Sequence, residues 1–122
     1  MIIGAKAKDK TLSLSFVKAG MKDEWMENSS LNILHDYFPE SAYSKVVIKS
    51  RGFSIVRHEI SGVVLYRTAE IYGLGTNGEG CFSKVFRIIQ DFNGVSYENS
   101  YRLDEGYIRG DYEQIPCASI PK

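Results

Sequence analysis

The chain has 122 residues, with fifteen basic and fifteen acidic side chains and a formal net charge of zero. That length fits one domain with a single core, and the balanced charge leaves no net field to draw the chain to nucleic acid or an anionic membrane. No apolar stretch is long enough to span a bilayer, and Lys6, Lys8 and Lys10 interrupt the apolar start too early for a signal segment, so one cytoplasmic domain over residues 1–122 is the expectation.

Residues 11–17 alternate, with Leu12, Leu14 and Phe16 on one side and Thr11, Ser13 and Ser15 on the other. This pattern predicts a strand with one wet face. Residues 22–38 read as helix. Asp23 and Glu24 place negative charge in its first turn. Trp25, Met26, Ile33, Leu34, Tyr37 and Phe38 recur at roughly helical spacing, and Pro39 stops the run. Asn28-Ser29-Ser30 weakens the middle. Two short helices, the second capped by Ser30, are therefore an alternative to one.

Residues 44–48 and 53–58 read as strands around a turn at Ser50-Arg51-Gly52. Three β-rich runs follow at 63–74, 81–92 and 95–103. They are separated by Asn77-Gly78 and Asn93-Gly94, which predict type I′ hairpin turns. Phe82, Val85, Phe86, Ile88, Ile89 and Phe92 also fit a helical stripe. The strand reading is preferred, because 95–103 alternates strictly and needs a paired neighbour. A last strand is expected at 106–114, and a loose tail from about residue 115.

Counting outward from two-residue turns gives a register. Gly73 faces Phe82, Ile71 faces Lys84, Ala69 faces Phe86, Arg67 faces Ile88 and Leu65 faces Gln90. On the next pair Gln90 faces Tyr97, Ile88 faces Asn99, Phe86 faces Tyr101 and Lys84 faces Leu103. One face collects Val63, Leu65, Ala69, Ile71, Phe82, Phe86, Ile88, Phe92, Val95, Tyr97, Tyr101 and Leu103, and should pack on the helix. It also carries Arg67, Lys84, Gln90 and Asn99, and polar groups on a packed face need partners or water. Arg67, Gln90, Tyr97, Asn99 and Tyr101 are therefore the candidate ligand-binding residues, grouped as a concave, partly apolar pocket.

Other motifs carry less. Gly73 to Gly78 matches G-x-G-x-x-G, but a strand follows where a dinucleotide site needs a helix. Gly78 to Val85 looks like the start of a protein-kinase glycine-rich loop, without the later kinase motifs. His35-Asp36 and His58-Glu59 are sequence neighbours that do not face each other on a helix or a strand. Cys81 and Cys117 form no metal motif, and a reducing cytosol favours two half-buried free thiols over a pair. The acidic residues near the C-terminus, Asp104, Glu105, Asp111 and Glu113, read as a solvated edge. No cofactor or metal site is expected, and no catalytic constellation.

The expected fold is α+β: an N-terminal strand and one helix packed on a curved antiparallel meander of four to six strands. This outline is similar to cystatin-like and ketosteroid-isomerase-like rolls by element order alone, so no functional residue carries over. The expected function is a non-catalytic binding module for a small apolar ligand or a protein partner, with a sheet-edge homodimer allowed. The alternative is a small roll-type enzyme using acid–base chemistry in the same pocket.

Overall fold

The computed structural model describes residues 17–107 and 112–120. The strand expected at 11–17 lies outside them except for Val17, and Asp111 of the C-terminal acidic group lies outside them as well. Among the described residues, helix α1 (Glu24–Tyr37) is followed by strands β1 (Ala42–Ile48), β2 (Ser54–Arg57), β3 (Val64–Asn77), β4 (Gly80–Asp91), β5 (Arg102–Leu103) and β6 (Glu113–Ile115). The architecture is α+β, with one helix on an open antiparallel sheet of six strands. No helix among the described residues is long and apolar enough to cross a membrane.

Helix α1 starts at Asp23, whose Oδ1 accepts the Met26 N–H at 3.0 Å while Glu27 Oε2 accepts the Asp23 N–H at 3.3 Å. These reciprocal bonds satisfy donors left free at a helix start. The helix runs unbroken through Asn28-Ser29-Ser30, so the two-helix alternative is excluded. The reason is packing: Met26, Ser30 and Leu34, spaced by one turn, are fully buried against the sheet. Ser30 is small, and it lets the helix lie close.

The sheet is built on the β3–β4 ribbon. β1 and β2 pair in succession with one edge of β3, and β6 and β5 pair in succession with the outer edge of β4. The β3–β4 register differs by two residues from the expected one: Asn77 pairs with Gly80, Gly73 with Lys84 and Arg67 with Gln90. A two-residue slip preserves the faces. Ala69, Ile71, Phe82, Phe86, Ile88 and Leu103 therefore do meet Met26, Leu34, Tyr43, Val46 and Ile48 in one core.

Neither Asn-Gly pair forms the expected type I′ turn. No described non-glycine residue has positive φ; Gly80 and Gly94 take that conformation instead. Asn77 Oδ1 accepts from Glu79 N at 2.8 Å, and Asn93 Oδ1 accepts from Val95 N and Ser96 N, each at 2.9 Å. The side chains close local turns that do not require left-handed asparagine. After Asn93 the chain makes one bridge, Phe92 to Tyr97, and then only the short β5, so the continuous strand expected at 95–103 is absent. The expected strand at 106–114 is also replaced, by a 3-10 turn at Glu105–Tyr107 and by β6, with 108–111 outside the described residues. Val63, Leu65 and Val95, expected in the core, are exposed, because the sheet extends past the helix that covers its middle.

The first two glycines of the G-x-G-x-x-G match, Gly73 and Gly75, lie inside β3 and do structural work. A Cβ on Gly73 would sit 2.8 Å from Leu34 Cδ1 and 3.0 Å from Tyr43 Cε1. On Gly75 it would sit 2.2 Å from the Ala42 carbonyl oxygen, which is backbone and cannot rotate away. Gly75→Ala must push β1 off β3. The expected loss is about 1–3 kcal/mol, the usual cost of overpacking, read as a lower urea midpoint with an unchanged slope.

Cys81 and Cys117 are joined by a disulfide, with Cα atoms 5.1 Å apart, which corrects the expectation of free thiols. The pairing follows from β6, which places Ile115 opposite Cys81. The tail expected to be loose is therefore held. Ile115 and Ser119 are buried, and Ile115 joins Val17, Val47, Tyr72, Leu74 and Cys81 in a second cluster on the far face of the sheet.

Candidate functional site

Helix α1 covers the middle of one sheet face and leaves both ends of that face uncovered. The end near the start of β3 holds the residues singled out from the sequence. Arg67 and Gln90 are cross-strand partners, and Arg67 Nε donates to Gln90 Oε1 at 2.8 Å. The Arg67 guanidinium lies between two rings, 3.8 Å from the Phe53 centroid and 4.0 Å from the Tyr97 centroid. Gln90 is buried, and its Nε2 donates to the Glu98 carbonyl at 2.8 Å. Tyr101 packs beside this group against Trp25, with ring centroids 4.9 Å apart. Burial raises the Tyr101 phenol above its ordinary value, Asp23 adds to that, and Arg67 opposes it. Asn99 is exposed on the return from β4 to β5.

The structure thus brings Arg67, Gln90 and Tyr97 together, sets Tyr101 alongside, and leaves Asn99 in solvent. Both faces of the guanidinium are occupied by protein rings, so the cluster acts as a brace. It pins the β2 approach and the 93–101 return to the β3–β4 ribbon. Arg67→Ala removes two cation–ring contacts and strands the buried Gln90 oxygen. The expected cost is about 2 kcal/mol, with faster amide exchange confined to residues 93–101.

The opposite end of the same face, at the β3–β4 turn, is a cleft of about 460 Å³. Tyr43, Phe82 and Tyr112 form one wall, with Phe38 behind Tyr43; Thr76, Asn77 and Gly78 close the turn side, and Lys84 and Glu40 are the charged groups among the described lining residues. Tyr43 and Phe82 meet edge to face at 5.3 Å, and Phe82 and Tyr112 meet at 5.1 Å.

Tyr43 reaches this position through a bulge. The β1–β3 register shifts between Tyr43 and Lys45, so Tyr43 shares the helix-facing side with Val46 and Ile48, a place that strict alternation would give to Ser44. Gly73 supplies the space its ring needs. His35 Nε2 donates to the Tyr43 carbonyl at 2.7 Å, which ties the helix to the bulge. Phe82 and Lys84 come from β4, on the face the sequence register assigned them. Tyr112 arrives from the segment leading into β6, held by the disulfide.

Burial, with a smaller contribution from nearby Tyr112, pushes the Tyr43 phenol up to about 12. The phenol therefore stays a hydrogen-bond donor at neutral pH. Its folded value lies above the free value of 10.0, so the stability it contributes is complete below pH 10.0 and is lost as pH rises toward about 12. An alkaline titration should show phenolate absorbance from one tyrosine appearing together with loss of native near-ultraviolet dichroism. In Tyr43→Phe that coupled step should vanish.

The far face of the sheet carries a polar group that satisfies itself. Glu70 accepts the Tyr107 hydroxyl and lies 3.6 Å from Lys49; Arg87 pairs with Asp104 at 2.8 Å and stacks on Tyr107 at 3.8 Å. His58 Nδ1 accepts from Ile60 N and Ser61 N and closes a turn. Of the cleft residues, Phe82 and Lys84 had a sequence signal, as an aromatic and a charge on the packed face. The bulge at Ser44 and the arrival of Tyr112 had none. No family model, curated protein or solved structure matches this chain.

Proposed function

We propose that this chain is a non-catalytic binding module that takes a small, largely apolar ligand in the cleft between the C-terminal end of α1 and the β3–β4 turn. The single observation that carries the reading is a cavity of ligand size, about 460 Å³, walled by Tyr43, Phe82 and Tyr112 on the sheet face that the helix leaves uncovered. Apolar walls with a few convergent polar groups are the usual composition of a small-molecule site. Binding is favoured over acid–base catalysis because Glu40, the one carboxylate among the described cleft residues, is exposed, and because His35 is engaged with a backbone carbonyl. A ligand-observed NMR screen with small ring compounds tests the reading. Binders are expected, and Tyr112→Ala, at a half-exposed position, should weaken them about tenfold by removing one aromatic wall. A screen with no binder would overturn it.

A second reading, protein contact through a sheet edge, is favoured by one observation. Ile55, Ile60, Val63 and Leu65 are exposed together around β2 and the start of β3, and Ile60 is 92% exposed. Among the described residues β2 pairs with β3 alone, which leaves its other edge open. A homodimer formed there would appear as concentration-dependent sedimentation that Ile60→Asp abolishes; a monomer at all concentrations would exclude it. The disulfide also bears on location. It favours an oxidising compartment over the cytoplasm that the sequence suggested.

A further inference from the structure

We infer that the acid group of an aromatic carboxylate is the polar part of the ligand, held by Lys84 with the ring against Tyr43, Phe82 and Tyr112. This inference rests on the binding reading above and adds the chemical class of the ligand.

Lys84 is the starting point. It sits on β4 opposite Gly73, half-buried, on the face that packs against the helix. An ammonium on a largely apolar face loses hydration and needs compensation. Two other charged groups on that side have it. Arg67 has Gln90 and two rings, and Glu27 has Lys22 at 3.8 Å. Among the described residues Lys84 is in no ion pair, and its ammonium lies 5.9 Å from the Phe86 ring centroid. Lys84 lines the cleft, and among the described residues its ammonium makes no hydrogen bond, which leaves capacity that an anionic group of a ligand would use.

The walls supply the second half of the argument. Tyr43, Phe82 and Tyr112 form a chain of tilted rings at 5.1–5.3 Å. A further planar ring extends such a chain with the same offset contacts, which an aliphatic body of equal size cannot reproduce. The Tyr43 hydroxyl, in the same wall, is a donor and therefore suits a carboxylate oxygen as well. A volume of about 460 Å³ accommodates one or two fused rings with an acid group. Among the described lining residues Glu40 is the one opposing charge. It lies exposed at the mouth, where water and salt screen it.

Three probes of one shape and different charge test this by calorimetry: naphthoate, naphthylmethanol and naphthylmethylamine. Naphthoate is expected to bind about tenfold tighter than the neutral alcohol, the scale of one charge-assisted contact. Lys84→Met should erase that difference by weakening naphthoate alone, while naphthylmethanol stays within about twofold and so reports an intact cleft. Equal binding of acid and alcohol to the wild-type chain, or tightest binding of the amine, would overturn the carboxylate assignment and leave the binding reading standing. Failure of all three to bind would sink both.

Discussion

Phe86→Ala is expected to lower the unfolding free energy by about 3–5 kcal/mol, the range for deleting a buried aromatic side chain. Phe86 is 1% exposed and is the largest of the fully buried side chains. Its ring meets Phe38 at 5.5 Å and Tyr43 at 5.7 Å, one from the end of the helix and one from the bulge of β1. The same substitution removes the support behind Tyr43, so the cleft should fail along with the core. A loss of that size is a large part of the 5–15 kcal/mol available to a typical domain. Urea unfolding of wild type and variant measures it. A loss under about 1 kcal/mol would mean that helix and sheet do not meet at this residue.

Opening the disulfide should cost nearly as much. Cys81 and Cys117 are 36 positions apart, and closing a loop of that length removes about 3–4 kcal/mol of unfolded-chain entropy in the loop-closure account. Cys117→Ser is the cleaner variant. Its side chain is exposed, whereas a serine at buried Cys81 would add an unsatisfied hydroxyl. The wild-type chain in reductant should match Cys117→Ser in air, and reductant should leave the variant unchanged. The consequence reaches the cleft, because β6 and the disulfide hold Tyr112 against Phe82. Unchanged stability in reductant would contradict the pairing.

Much of the sheet was legible because side-chain facing has a period of two. The Asn-Gly pairs did not adopt the expected turn type, yet the slip they caused in β3–β4 was two residues. Ala69, Ile71, Phe86 and Ile88 consequently stayed on the core side. The expected pocket is a different matter. Its row through Arg67, Ile88 and Asn99 depended on the absolute register, and the slip gave Arg67 to Gln90 instead. The return after Asn93 then shifted again, so that Ile88 meets Leu103. The cleft was hidden for other reasons. A bulge at Ser44 adds one residue without any distinctive residue type, and Tyr43-Ser44-Lys45-Val46 alternates plausibly either way. Tyr112 lies thirty residues from Phe82 in the chain, and only the pairing of β6 with β4 joins them. Two cysteines in a sequence read as cytosolic gave no reason to expect that link.

The location of a bound ring tests the account most directly. Intermolecular nuclear Overhauser effects from bound naphthoate to the wild-type chain should reach the ring protons of Tyr43, Phe82 and Tyr112 and the side-chain methylenes of Lys84. Effects confined to Phe53, Tyr97 and Tyr101, around the Arg67 brace, would contradict it and return the site to the other end of the sheet.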